Sequence, residues 1–259
     1  MRLCHSGRPK TPLLGLLDPL CHTLSFGKRK KEVTVSNTIS FVQEQGIATL
    51  SFDNPARRNA LGATELAAID TALDALEPAT RVLVITSSDD RIFCAGADLS
   101  QILDGVISGD RFQSVTNRIA GLPIPTIAVL TGNVFGGGAE LALSCDFRIG
   151  RAGMILRIPA AAIGLCYPVE GIERLTRRLG PNLCKRLLVA AETFSSEQLL
   201  AHQLLDSVHS ADEVRAAAQA YAETLLKLAP LSVSTMLDLI RQIEVGTYAR
   251  ADAEVRAKD

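Results

Sequence analysis

Four strand-like runs, Ile47–Phe52, Arg81–Thr86, Ile127–Leu130 and Phe147–Ile149, are each separated from the next by enough chain for a helix. Strands joined by helical crossovers pair in parallel, and the central ones are buried on both faces, so they read as apolar runs rather than as alternations. The intervening segments support this. After Asn54-Pro55, Thr64 is placed to cap a helix carrying Leu66, Ile69, Leu73 and Leu76 at helical spacing until Pro78. A small-residue loop, Phe93 to Asp98, leads into a helix through Leu99 and Ile102, and a second helix is predicted over Asp110–Ala120. Gly136-Gly137-Gly138 opens a helix over Ala139–Cys145. Thr38–Gln43 pairs with the first run around a turn at Gly46. Beyond Leu179 strand signals nearly vanish, and Pro181–Ala190, Ser196–Ala201, Ala211–Leu228 and Leu231–Gln242 read as helices. The pattern predicts an α/β core (37–195) followed by a helical C-terminal region (196–259).

With 47% apolar residues in 259, the chain has the material for a large core. A net charge of −1, no tryptophan and 4% aromatics argue against a nucleic-acid partner, which needs concentrated basic surface and stacking platforms. No stretch approaches the roughly 18–20 apolar residues of a membrane span. The six cysteines form no CxxC pair and have no histidine at ligand spacing, so no metal site is expected and buried free thiols in a reducing compartment are. Residues 1–36 differ from the rest: Arg2, Arg8, Lys10 and the run Lys28-Arg29-Lys30-Lys31 face only Asp18 and Glu32. Asp18 and Pro19 interrupt the apolar piece Leu13 to Leu20, which spoils a signal-peptide core. This segment is expected to be a disordered leader on a cytoplasmic protein; a mitochondrial presequence is the alternative.

Three loops follow buried strands, where α/β sheets place ligands. In Phe93-Cys94-Ala95-Gly96-Ala97-Asp98-Leu99 the small side chains allow close approach to the backbone, and Asp98 favours a helix start that leaves N–H groups near Ala97 without intrahelical partners. A tight turn explains the same residues. In Gly132–Glu140 three successive glycines carry an entropic cost that implies a steric reason, and the helix start again offers N–H donors. The run lacks both GxGxxG and GK[ST], so neither a dinucleotide nor a P-loop site is indicated. Glu140, in the first turn, either complements the helix dipole or acts as a general acid/base. In Asn54–Leu61, Arg57 and Arg58 either meet phosphates or are solvated.

NPARRNAL, FCAGADL and GNVFGGGAELALSCDFRI, in that order and spacing, resemble the enoyl-CoA hydratase/isomerase (crotonase) superfamily, from about Ile39 to the C-terminus. The resemblance implies a spiral of ββα turns with a helical C-terminal trimerisation region, giving a homotrimer or a dimer of trimers. It implies an acyl-CoA thioester substrate with no separate cofactor, CoA being part of the substrate. Matched residue by residue, it places the oxyanion-hole amides at Ala97 and Gly137 and a catalytic glutamate at Glu140. It also places Ala95, Ala97, Asp98, Leu99 and Ser100 beside the acyl-CoA, and Arg57 or Arg58 near its nucleotide end. An enoyl-CoA hydratase-like lyase acting through a thioester enolate is therefore expected.

Two departures bear on the reaction. The family's hydratases use a second glutamate in a Pro-Glu pair, which here reads Pro159-Ala160, and Ala160 transfers no proton. Acyl-CoA decarboxylation, thioester hydrolysis and non-catalytic binding are therefore alternatives. Tyr167 falls where the chain resembles methylmalonyl-CoA decarboxylases, so its phenol either orients a reacting group or packs as a loop aromatic; Glu170 is a second possible substitute. Relatives also continue beyond the position of Asp259 into a helix near the CoA adenine, so truncation or a more open nucleotide end is expected.

Overall fold

The computed structural model describes residues 31–247. In chain order its strands are β1 (Lys31–Thr34), β2 (Ile39–Glu44), β3 (Ile47–Phe52), β4 (Val82–Ser87), β5 (Ile92–Cys94), β6 (Thr126–Leu130), β7 (Asn133–Phe135), β8 (Phe147–Arg151), β9 (Ile155–Arg157), β10 (Thr193–Ser195) and β11 (Ser207–His209). The helices are α1 (Ala63–Asp74), α2 (Leu99–Leu103), α3 (Gly109–Ala120), α4 (Gly137–Ser144), α5 (Val169–Leu188), α6 (Ser196–Ala201), α7 (Val214–Leu226) and α8 (Pro230–Val245).

A large sheet has the order β1-β2-β3-β4-β6-β8-β11, and a small one β10-β9-β7-β5. Strands β3, β4, β6, β8 and β11 pair in parallel, while β1, β2 and β3 form an antiparallel meander. After β3, each circuit places one strand in the large sheet and one in the small sheet before a helix. The series β4-β5, β6-β7 and β8-β9 is thus the ββα spiral that the resemblance implied.

The period-2 side-chain alternation divides the apolar strands between two cores. Ala48, Leu50, Leu83, Ile85, Ala128 and Leu130 join the main core with residues of α1, α3 and α4. Ile47, Val82, Val84, Ile127, Val129 and Ile149 face the other way and are covered by Val214, Ala218 and Ala222 of α7. Each fully buried aliphatic side chain stabilises the fold by roughly 1.5–3 kcal/mol, which explains why β4 and β6 tolerate so little polarity.

Several boundaries differ from the sequence expectation. Lys31–Thr34, assigned to the leader, is β1 and pairs with β2; residues 1–30 of the leader and the terminal run beyond 247 lie outside the described residues. Helix α1 is capped at Gly62 rather than Thr64, with the Glu65 carboxylate accepting from the Gly62 N–H at 3.0 Å. The C-terminal region is not wholly helical, because β11 adds a parallel edge strand to the large sheet through β8. Strands of three residues are too short to show a period, so tertiary pairing alone defines β5, β7, β9, β10 and β11. The helix expected from Pro181 is the second half of α5, whose two halves meet at Gly180 (φ 75°, ψ 160°).

Candidate active site

The loops after β5 and β7 meet at a cavity of about 230 Å³ lined by Ala95, Ala97, Gly137 and Glu140, among others. Leu61 N–H donates to the Gly96 carbonyl at 2.8 Å, and the Leu61 carbonyl accepts from Asp98 N–H at 3.0 Å, a parallel bridge centred on Ala97. Because amides alternate in direction along an extended strand, the Ala97 N–H is turned away from Leu61. Gly137 is the first residue of α4, so its N–H has no acceptor within the helix. The two amides are close: a Cβ on Gly137 would lie 3.2 Å from the Ala97 nitrogen. Gly136 adopts φ 50°, ψ −124°, outside what a side chain tolerates, and a Cβ on Gly138 would strike the Cys94 carbonyl at 2.5 Å. The glycine run therefore has the steric cause that its composition implied.

Glu140, in the first turn of α4, is 2% exposed. Its Oε1 accepts from Gln113 Nε2 at 3.2 Å and from the Arg174 guanidinium, whereas Oε2 is buried without a partner. Burial pushes the carboxyl above its ordinary value, while Arg174 and then Gln113 pull the other way. Tyr167 lines the same cavity, and its hydroxyl is also buried and unpartnered. Burial, reinforced by the Glu140 charge, holds this phenol well above its usual range, so it remains an O–H donor.

Ala160 lines the cavity at the head of a 3-10 turn, Ala160–Ile163. Glu140 is thus the only carboxylate among the described residues lining it. The remaining wall is mainly apolar, including Leu99, Ile102, Phe112, Ile163 and Leu165.

The structure brings together Ala95, Ala97, Leu99, Gly137, Glu140 and Tyr167 of the expected site. Asp98 and Ser100 do not line the cavity. Asp98 Oδ1 accepts from Ser100 Oγ at 2.7 Å and Ser100 N at 3.1 Å, capping α2, and Oδ2 meets Arg57 at 2.7 Å. Those contacts, the Ser100 hydroxyl foremost, hold the Asp98 carboxyl below its usual range. Arg57 and Arg58 are exposed on the loop around the 3-10 turn Pro55–Arg57, outside the cavity lining. Glu170 is also outside the lining, accepting from Asn117 Nδ2 at 2.6 Å. Gln113 and Arg174 carry no signal in the sequence that marks them as part of the site. Arg174 lies 34 positions beyond Glu140, and no spacing rule connects a helix start to a residue in the next helix but for its packing.

Among the described residues no group of histidine, cysteine and carboxylate side chains is arranged to hold a metal, and no helix is long and apolar enough to cross a membrane.

A family profile described as enoyl-CoA hydratase/isomerase matches residues 42–256. The Bos taurus protein "Enoyl-CoA hydratase domain-containing protein 2, mitochondrial" is 35% identical over 213 residues, 78% of this chain and 72% of its own. The crotonyl-CoA hydratase of Syntrophomonas wolfei is 31% identical over 198 residues, covering 74% of this chain and 76% of that one. The solved structure of an enoyl-CoA hydratase from Polaromonas sp. JS666 has a TM-score of 0.77 and 28% identity, covering 85% of this chain and 89% of that one.

Proposed function

The chain belongs to the enoyl-CoA hydratase/isomerase family, and on that premise we propose that it is an acyl-CoA enzyme that hydrates an enoyl thioester with Glu140 as its one acid/base group. The observation that carries this is the placing of Glu140, with Oε2 uncommitted, in one cavity with the Ala97 and Gly137 amides. The thioester oxygen sits on the two N–H groups, each such donor lowering the barrier by roughly 3–4 kcal/mol through charge that develops only in the transition state. Glu140 takes a proton from water as the water oxygen bonds to Cβ. The C=C electron pair moves toward the thioester, whose oxygen becomes an enolate oxyanion. The proton held on Glu140 then passes to Cα, so that one water has been added and the carboxylate is restored. CoA enters as part of the substrate, with Arg57 and Arg58 as candidates for its phosphates, and no further cofactor takes part.

A panel of CoA esters scored for hydration, decarboxylation and free CoA release tests this. Glu140→Gln is expected to cut hydration by about 10²–10⁴-fold while leaving ester binding intact. Binding without any turnover would overturn the enzymatic assignment.

The missing carboxylate at Ala160 favours a second reading, in which the same oxyanion site serves decarboxylation, thioester hydrolysis or binding alone; the panel separates these. Helix α8 leaves Leu231, Met236, Ile240 and Ile243 exposed, a face suited to the proposed trimer, and mass measurement in solution tests that. The name of the bovine relative places that protein in mitochondria, which supports the presequence alternative over the cytoplasmic one; import of the full chain into isolated mitochondria decides between them.

A further inference from the structure

Leaving a buried polar atom unpaired costs on the order of 1–3 kcal/mol. Among the described residues four buried side-chain polar atoms lack partners, and two of them, Glu140 Oε2 and Tyr167 Oη, belong to residues lining one cavity. The two residues are also neighbours. A Cβ on Gly171 would lie 2.8 Å from Tyr167 Cε1 and 3.1 Å from Glu140 Oε2, so the phenol edge and the carboxylate oxygen flank a single point. Glycine at 171 is what allows both to approach it. Orphaned atoms of this kind mark the place of a ligand group or an ordered water.

Their chemistry selects the group. Glu140 Oε2, as a carboxylate oxygen, accepts. The Tyr167 phenol is held protonated and donates. A water or an alcohol satisfies both at once, donating to Oε2 and accepting from Oη. A substrate carboxylate offers only acceptors and would add a second negative charge beside Glu140 in a buried site.

We propose that Glu140 Oε2 and Tyr167 Oη together hold the oxygen that is added to the substrate, so that Tyr167 is a catalytic residue supplying the second contact that Ala160 lacks. This rests on the hydration reading above. The water donates one O–H to Oε2 and accepts from Oη, leaving a lone pair for Cβ. In the product the same two contacts hold the new 3-hydroxyl.

The test is a binding measurement that needs no turnover. Affinities of saturated acyl-CoA and 3-hydroxyacyl-CoA esters, as four- and eight-carbon pairs in both hydroxyl configurations, are compared by calorimetry for the wild type and Tyr167→Phe. The wild type is expected to prefer one hydroxy ester by about 3- to 10-fold, the net effect of one hydrogen bond. In Tyr167→Phe that preference should fall toward unity, while affinity for the saturated ester, which also reports correct folding, stays unchanged. With crotonyl-CoA the variant should lose kcat at constant KM. Equal affinity for the two esters in the wild type, or a preference that survives in Tyr167→Phe, would overturn the role of Tyr167 even if hydration is observed. Failure to bind any of the esters would instead overturn the acyl-CoA assignment, and the role of Tyr167 with it.

Discussion

Gly96 stands so close to Gly137 that a Cβ on Gly96 would lie 2.5 Å from the Gly137 amide nitrogen. Two loops from different circuits of the spiral therefore touch through backbone alone, beside the Ala97 and Gly137 N–H groups.

Gly96→Ala should break this contact. Gly96 has φ +90°, so the alanine is strained as well as crowded. Displacing one donor is expected to lower kcat by about 10²–10³-fold, with a smaller effect on KM. Steady-state kinetics alongside a circular-dichroism check on folding measures it; an unchanged kcat would remove the Gly137 amide from the mechanism.

Arg174 opposes the effect of burial on Glu140. Its charge is the strongest influence holding the Glu140 carboxyl down against burial, so Arg174→Gln should raise that pKa further. The rising limb of activity with pH, which requires the carboxylate, should then move to higher pH. Stability should respond in the same sense. A carboxyl with a raised folded-state pKa keeps its full contribution below the unfolded value near 4.5 and loses it as pH rises through the folded value. The variant should thus be most impaired at neutral and higher pH, by on the order of 3 kcal/mol where the charge is left unpaired, and recover in acid. Thermal denaturation across pH checks the slope; a uniform loss at every pH would mean that Arg174 acts through packing alone.

Ala160 tests how much the missing carboxylate limits the reaction. It lines the cavity in a 3-10 turn, a place that accepts a longer side chain more readily than the core does. Ala160→Glu should raise hydration of a short enoyl-CoA by about 10²-fold, the low end of general acid/base effects. If turnover falls instead, Tyr167 and Glu140 form the complete set and the new charge disturbs it.

Cysteine reactivity should report occupancy of the cavity. Burial pushes the Cys94 and Cys145 thiols up to about 12, so neither should be alkylated in the native protein. Cys166 is exposed and lines the cavity. Among the described cysteines it should be modified first by iodoacetamide, and a saturated acyl-CoA should slow that reaction. Peptide mass spectrometry reads both; modification at an unchanged rate with saturating ester would separate the cavity from the binding site.

The strand–helix alternation from Ile47 to Ile149 and the small-residue loops at Ala97 and Gly137 were legible in the chain, because burial and backbone geometry are local demands that restrict residue type position by position. The departure at Ala160 was legible only against the family resemblance, whose Pro-Glu pair reads Pro159-Ala160 here. Three-residue strands such as β11 were not, having no period to display. Nor was the fate of Asp98, whose oxygens are taken by Ser100 and Arg57; a carboxylate beside a loop has the same letter whether it binds a ligand or caps a helix. The pairing of Glu140 with Arg174 and the unmatched hydroxyl of Tyr167 exist only because α4 packs against α5 and its preceding loop. Sequence determined where backbone donors stand free. Tertiary packing decided which side chains surround them, because those contacts join residues whose separation along the chain leaves no pattern.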